Sequence, residues 1–527
     1  MHWWQNGIIY QIYPRSFQDT NGDGIGDLAG ITRRLDYVAG LGVAGIWISP
    51  FFVSPMADFG YDIADYRAIE PIFGTMNDFD RLIDEAHARG LRVILDFVAN
   101  HTSDQHPWFK EARSSRNSPK RNWYVWADPN PDGSPPNNWI SEFGGRAWSF
   151  DEETSQYYYH AFLPDQPDLN WRNPAVQEAM LDILKFWLDK GVDGFRVDAI
   201  HHLFEDDQLR DNPPNPRYRP EMGPAKSVIR LHTLDQPEVQ SAVQAMRRLV
   251  NQYDGERVLI GEAYLPISRM MAYYGPNMDG FHLPFNFHLI KANWSAEAIG
   301  RLVQEYEAAL PGRAWPNWVL GNHDKPRIAS RIGEAQARVA AMLLLTLRGT
   351  PTLYQGDELA MCDVLIAEDQ VHDPFEKRVP GLGLGRDPCR TPMQWSDEIG
   401  AGFTLGKPWL PLSEDYPIRN VELQQRDPLS MLALYRSLIA LRNATAAFRE
   451  GAYVPISNEA NVLVFDRAFS GETWRVVLNF DDRAKSMSLP RADATTALST
   501  YQDTRSFVVA DQFQLRPSEG LLIRLLG

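Results

Sequence analysis

The stretch Gly194-Phe-Arg-Val-Asp-Ala-Ile-His-His202, GFRVDAIHH, decides the fold. Its apolar run is too short for a helix and ends on a charged residue, Asp198. Just before it, Asn173–Lys190 opens with Asn-Pro, an N-cap followed by proline at the first helical position, and stops at Gly191. The unit is thus a helix followed by a short buried strand with an acid at its C-terminal end.

The unit recurs along the chain. Strands are predicted at Gly7–Tyr13, Ala44–Ser49, Arg92–Phe97, Gly194–Val197, Val258–Gly261, Gly280–Pro284, Trp318–Gly321 and Thr350–Tyr354. Between several of them lie amphipathic helices; Asn77–Arg89 sets Phe79, Leu82, Ile83 and Ala86 on one stripe. This alternation predicts a parallel sheet closed into a (β/α)8 TIM barrel, an α/β fold. Two stretches interrupt it. Residues 102–170, after the third strand, are rich in Pro, Asn, Trp and Tyr and read as an inserted domain. Residues about 357–427 follow the eighth strand and are irregular, and helix Leu429–Leu441 then closes the barrel. The barrel domain therefore spans 1–101 and 171–445. Alternating runs such as ANVLVFDRAF and TWRVVLNF mark 446–527 as a C-terminal antiparallel β-sandwich.

Composition narrows the function. A length of 527 residues with 44% hydrophobic content supports a large core and more than one domain. A net charge of −16 opposes nucleic acid and anionic membrane as partners and suits a neutral substrate. Cys362 and Cys389 cannot form a disulfide framework. The longest apolar run, near Val339–Leu347, is too short to span a bilayer. The start MHWWQNGIIYQIYPRSF lacks a basic segment followed by an apolar run, so a cytoplasmic location is expected.

In such a barrel, chemistry sits at the C-terminal strand ends. Strand 3 ends in Asn100-His101, strand 4 carries Arg196 and Asp198, strand 5 carries Glu262, and strand 7 runs into His323-Asp324. A lone acid in such a place is usually a solvated loop charge. Three acids, two histidines and an arginine on one rim are not explained that way. Two carboxylates with a helper suit glycoside hydrolysis, one attacking the anomeric carbon and one protonating the leaving oxygen. A metal hydrolase fits less well, because no H-x-H or H-E-x-x-H pattern occurs.

The stretch DTNGDGIGD, 19–27, raises a separate question. Its glycines, Gly22, Gly24 and Gly26, have the wrong spacing for a dinucleotide fingerprint, and its acids would repel a phosphate. Asp19, Asn21 and Asp23 instead match positions 1, 3 and 5 of an oxygen-ligand calcium loop. Gly24 makes the turn, the Ile25 carbonyl falls at position 7 and Asp27 at 9. Position 12 is Gly30, so the bidentate Glu is missing. One structural Ca2+ or Mg2+ is expected there, with no organic cofactor.

The motifs DFVANH (96–101), GFRVDAIHH (194–202), GEAYL (261–265) and GNHD (321–324) resemble the four short regions of the α-amylase family, glycoside hydrolase family 13. WWQNGIIYQIYPRSFQDTNGDGIGDLAGI, FGYDIADY and CRTPMQW resemble its bacterial α-glucosidase and oligo-1,6-glucosidase branch. The resemblance covers essentially the whole chain. It implies Asp198 as nucleophile, Glu262 as general acid/base and Asp324 as the third acid, gripping sugar hydroxyls. It implies that Arg196 keeps Asp198 ionised, and that His101 and His323 bond sugar hydroxyls. Asp58 and Tyr61 become the 4,6-hydroxyl anchor and the stacking ring, Arg390 the partner of Asp58, and Phe143 and Phe162 candidate walls. Ala199, after the nucleophile, implies α-1,4 preference where valine would imply α-1,6. The expected activity is a retaining α-glucosidase acting on small α-glucosides, with sugar or alcohol acceptors. An isomaltulose synthase would carry an Arg-Leu-Asp-Arg-Asp stretch; residues 375–390 read FEKRVPGLGLGRDPCR instead. A non-catalytic family relative would have lost the acids. A monomer or homodimer is compatible with the sequence.

Overall fold

The computed structural model describes residues 1–488, 493–503 and 512–526. Eight parallel strands form one sheet: β1 (Ile9–Ile12), β2 (Gly45–Ile48), β3 (Arg92–Val98), β4 (Gly194–Asp198), β5 (Val258–Glu262), β6 (Leu283–Phe285), β7 (Asn317–Val319) and β8 (Thr350–Tyr354). Their order is β6-β5-β4-β3-β2-β1-β8-β7. β6 and β7 share no ladder but lie against one another, so the barrel is nearly closed. The expected strands are found with shifted ends: the sixth and seventh are three residues each, the sixth starting three residues late and the seventh ending two residues early.

The strands are buried on both sides. Ile9, Trp47, Ile94, Val258, Ile260, Leu283 and Val319 pack together in one cluster, and the opposite faces join the main core under the helices. Two glycines mark where strand packing leaves no room. A Cβ at Gly194 would sit 2.3 Å from the Val258 carbonyl oxygen, and one at Gly261 would sit 2.2 Å from the Phe281 ring. The helices start where the sequence says. Asn173 accepts a hydrogen bond from the Ala175 amide, with Pro174 opening Pro174–Asp189. Thr75 and Asp78 form a capping box on Met76–Ala88, whose buried residues are Phe79, Leu82, Ile83 and Ala86. The apolar run near Val339 is the buried face of Glu334–Thr346. Among the described residues, no helix is long and apolar enough to cross a membrane.

After β3 the chain builds a helix, Pro107–Arg113, and a three-stranded antiparallel sheet of Trp126–Ala127, Gln156–Tyr159 and Trp148–Asp151. After β8 it runs through short helical turns to the helix Met431–Ala444, two to three residues later than expected at each end. Beyond it a five-stranded antiparallel sheet and a two-stranded sheet enclose Val462, Val464, Val477, Leu515, Leu521 and Ile523.

Two buried arginines, Arg467 of this sheet and Arg442 of the helix before it, brace the same part of the barrel. Arg467 donates to the carbonyls of Thr346, Phe448 and Gly451 at 2.5–2.9 Å, and Arg442 donates to those of Leu345, Leu347 and Gly349. Both satisfy carbonyls around the end of the helix that precedes β8. Arg467→Met should orphan three buried acceptors and lower stability by about 2–4 kcal/mol in denaturant unfolding, while activity per folded molecule stays within about twofold.

Candidate active site

The strand ends converge as expected, and Arg196 lies at their centre with no exposed surface. Its Nη1 donates to Asp96 Oδ1 at 2.8 Å and to Asp198 Oδ1 at 2.6 Å. Its Nη2 lies 2.7 Å from Glu262 Oε2. Trp47 packs its ring 5.0 Å from the guanidinium and donates from Nε1 to Asp96 Oδ2. One cation thus serves three buried acids, and those acids respond differently. Burial raises Glu262 to about 8, helped by the charges of Asp198 and Asp324 and opposed by Arg196. Burial also raises Asp198, but only to about 6, because Arg196 opposes it and the Glu262 carboxyl hydrogen-bonds to it. Near neutral pH, Asp198 is therefore ionised and Glu262 protonated.

The backbone at β4 supports this division. Ala199 is left-handed, with φ 42° and ψ 35°, an uncommon conformation for a residue with a Cβ. Its amide donates to Glu262 Oε2 at 2.9 Å, orienting the acid from the strand beside it.

His323 is held from both ring nitrogens. Gln11 Nε2 lies 2.7 Å from Nδ1, and the Tyr61 hydroxyl lies 2.8 Å from Nε2. Tyr61 in turn donates to Asp96 Oδ2 at 3.0 Å, so the partners fix a neutral ring protonated on Nε2. Burial lowers His323 to about 3, consistent with that form. Tyr61 stacks on His323, with centroids 5.5 Å apart and planes 6° apart. His101 Nε2 meets the Tyr61 carbonyl and Gln166, and burial lowers the ring to about 4. Phe162 packs against His101, His202 and Phe143, and Phe143 lies against the Arg386 guanidinium.

One expected pairing is corrected. Arg390 does not meet Asp58. Its Nε donates to the His323 carbonyl at 2.7 Å and its Nη2 to Asp324 Oδ1 at 2.9 Å. The partner of Asp58 is Arg386, four residues earlier, at 2.5 Å, and Arg386 also binds Asp373 at 2.6 Å. The short turn Asp387–Cys389 between them sends the two guanidinium groups to different acids. Asp324 gains from both: burial would raise it, but His323, Arg390 and Arg386 together hold it well below the usual carboxylate range. Asp58 is raised by burial against the pull of Arg386 and Arg390. Asp96, Arg386, Asp373, Gln11 and Gln166 were missed as site residues. Asp96 was legible as an acid inside an apolar strand run; the others carry no local signal.

The loop 19–27 stands after β1 on the same rim. Asp19 accepts from the amides of Asn21, Gly22 and Gly24, and from Thr404. Asn21 and Asp23 accept from the amides of Asp23 and Ile25 respectively. Asp27 caps the following helix through the Gly30 amide and also holds Thr20. No described lysine or arginine forms an ion pair with Asp19, Asp23 or Asp27, which leaves three acids without a bonded counter-charge. This donor set fits a hard cation. Among the described residues, no three His, Cys, Asp or Glu side chains converge to hold an ion alone, so a site here needs the Asn21 and Ile25 oxygens as well.

A family model described as "Alpha amylase, catalytic domain" matches residues 11–451. A probable alpha-glucosidase from Rhizobium meliloti is 42% identical over 503 residues, covering 93% of this chain and 91% of that protein. An oligo-1,6-glucosidase from Heyndrickxia coagulans is 38% identical, covering 95% and 96%. Among solved structures, the alpha-glucosyl transfer enzyme XgtA superposes with TM-score 0.95 at 42% identity, and the trehalulose synthase MutB from Pseudomonas mesoacidophila with 0.92 at 36%; each comparison covers all of both chains.

The corrected pairing has a direct test. Arg386→Ala leaves Asp58 and Asp373 buried without their cation. It should lower kcat/KM for a nitrophenyl α-glucoside by about 100-fold or more, whereas loss of a mere surface charge would change it by less than about threefold.

Proposed function

The chain belongs to the α-amylase family of glycoside hydrolases, and on that premise we propose that it is a retaining, exo-acting α-glucosidase. It removes terminal non-reducing α-1,4-linked glucose from maltose-type substrates and passes part of it to sugar or alcohol acceptors. The observation that carries this reading is the Arg196 bridge between an ionised Asp198 and a protonated Glu262. Two carboxyls held on the two terminal nitrogens of one guanidinium sit close together, as a retaining pair does, whereas an inverting pair stands roughly 6.5–9.5 Å apart to hold water between them.

The steps follow from these groups. Glu262 gives its proton to the glycosidic oxygen as Asp198 attacks the anomeric carbon, forming a β-glucosyl ester and releasing the aglycone alcohol. Glu262, now a carboxylate, takes a proton from water or from an acceptor hydroxyl. That oxygen attacks the anomeric carbon and frees Asp198, leaving the product α-configured. Asp324, kept ionised, accepts from the sugar 2- and 3-hydroxyls. Asp58 and Arg386 close the end of the pocket that takes the non-reducing glucose, which supports exo action. The small Ala199 side chain supports α-1,4 over α-1,6 linkage, a contact worth about 1–3 kcal/mol. The names of the relatives favour a second reading, an α-1,6- or sucrose-preferring glucosidase or a sucrose-isomerising glucosyltransferase. A product time course on maltose, isomaltose and sucrose separates them: glucose and glucosyl-maltose are expected, and predominance of isomaltulose or trehalulose from sucrose would support the second.

Two further outcomes follow. kcat/KM should be bell-shaped with pH, falling below about 6 as Asp198 takes a proton and above about 8 as Glu262 loses one. Glu262→Gln should remove the alkaline limb, and Asp198→Asn should cost about 10⁴-fold or more in kcat. The cation at Asp19, Asn21, Asp23, the Ile25 carbonyl and Asp27 would stiffen the first loop and neutralise its acids. Chelation should then lower Tm while turnover at moderate temperature persists; immediate loss of turnover with Tm unchanged would contradict that role.

A further inference from the structure

The Glu262 side of the site is cationic, in a chain whose net charge is −16. Tyr264, two residues beyond Glu262, is partly exposed and stacks on Phe287 with ring centroids 4.4 Å apart. Two ammonium groups face its ring: Lys291 Nζ lies 4.4 Å from the centroid and Lys325 Nζ 5.7 Å. Desolvation, then the like charges of Lys325, Lys226 and Arg230, lowers Lys291 to about 8, so all four cations share one neighbourhood. Arg230 is neutralised by an ion pair with Glu142. The three lysines are not. Among the described residues, none of their ammonium groups has a carboxylate within ion-pair distance. Glu262, the acid that pulls on Lys291, is protonated at neutral pH, and Asp324 acts on the neighbouring Lys325.

Lysines held together repel one another, and the Tyr264 ring under Lys291 and Lys325 and the Asp324 charge next to Lys325 offset this only in part, since Lys291 is still lowered. Lys291 and Lys325 lie over the partly exposed Tyr264 ring, two residues beyond the acid that protonates the leaving oxygen. None contacts the Asp58–Arg386 end, where the transferred glucose would sit. What faces them is therefore the leaving group or the acceptor. We propose that this side of the site binds an anionic group, a carboxylate or a phosphate carried by the leaving sugar or the acceptor, through Lys291 and Lys325 with Lys226 behind them. The anion of the aglycone meets the two ammonium groups over the Tyr264 ring. The inference rests on the glucosidase reading and specifies its substrate class.

Four substrates sharing one α-1,4 bond test it. Maltobionate is compared with maltitol for a carboxylate, and maltose 1-phosphate with maltose for a phosphate. The readout is the kcat/KM ratio of each anionic substrate to its neutral counterpart, in the wild type and in Lys291→Gln/Lys325→Gln. These are surface substitutions, and the ratio cancels any general loss of activity. At least one ratio should fall about three- to tenfold in the double variant, the scale of a partly exposed ion pair, and should fall likewise in wild type as salt is raised. The pair that responds identifies the anion. Ratios that change by less than about twofold for both pairs overturn the anionic subsite while leaving the glucosidase reading intact. Failure to cleave maltose or maltitol at all overturns the glucosidase reading itself.

Discussion

A single buried guanidinium governs this site. Arg196 is enclosed among Asp96, Asp198 and Glu262, and one positive charge cannot offset three negative ones in so buried a place. At least one carboxyl must stay protonated. Glu262 gives up ionisation most readily, because burial raises it furthest and it feels both Asp198 and Asp324. The proton a glycosidase needs at its acid is thus a consequence of charge crowding.

That crowding depends on strand register. Asp96 lies opposite Arg196 and Val98 opposite Asp198 across β3 and β4, and Ile260 lies opposite Arg196 across β4 and β5. With side chains alternating, Asp96, Arg196, Asp198 and Glu262 all enter the barrel at adjoining levels. A slip of one residue in β4 would turn Arg196 and Asp198 toward the helices and leave two buried acids without their cation. Gly194 and Gly261 leave room for the close strand approach at this point, so part of the catalytic geometry is set by residues that carry no chemistry. The second charge cluster is arranged in the opposite sense. Arg386 and Arg390 outweigh burial at Asp324 and keep it ionised. One rim therefore holds a proton on one acid and excludes it from another.

Much of this was legible in sequence because strand ends and helix starts have local signatures. Asn173 with Pro174, and acids closing apolar runs at 198 and 262, each announce themselves within a few residues. Asp96 was harder, since it sits inside a run that otherwise reads as buried strand. The pairing of Asp58 was not legible. Arg386 and Arg390 lie four residues apart in an irregular segment without periodicity, and only the turn between them decides which one reaches which acid. Gln11 and Gln166 show the same limit: their roles arise from contacts with His323, more than 300 residues away for Gln11, and with His101 and Asp58. The Glu142–Arg230 pair likewise has no local pattern.

The most direct test of the Arg196 account asks which carboxylate attacks. Incubation with 5-fluoro-α-glucosyl fluoride, which slows release of the glucosyl-enzyme, followed by acid quench, proteolysis and peptide mass spectrometry, locates the ester. If Arg196 keeps Asp198 ionised while charge crowding keeps Glu262 protonated, the sugar is found on the peptide containing Asp198. A sugar on the peptide containing Glu262, or no covalent adduct while the reagent is turned over to β-configured product, would contradict it.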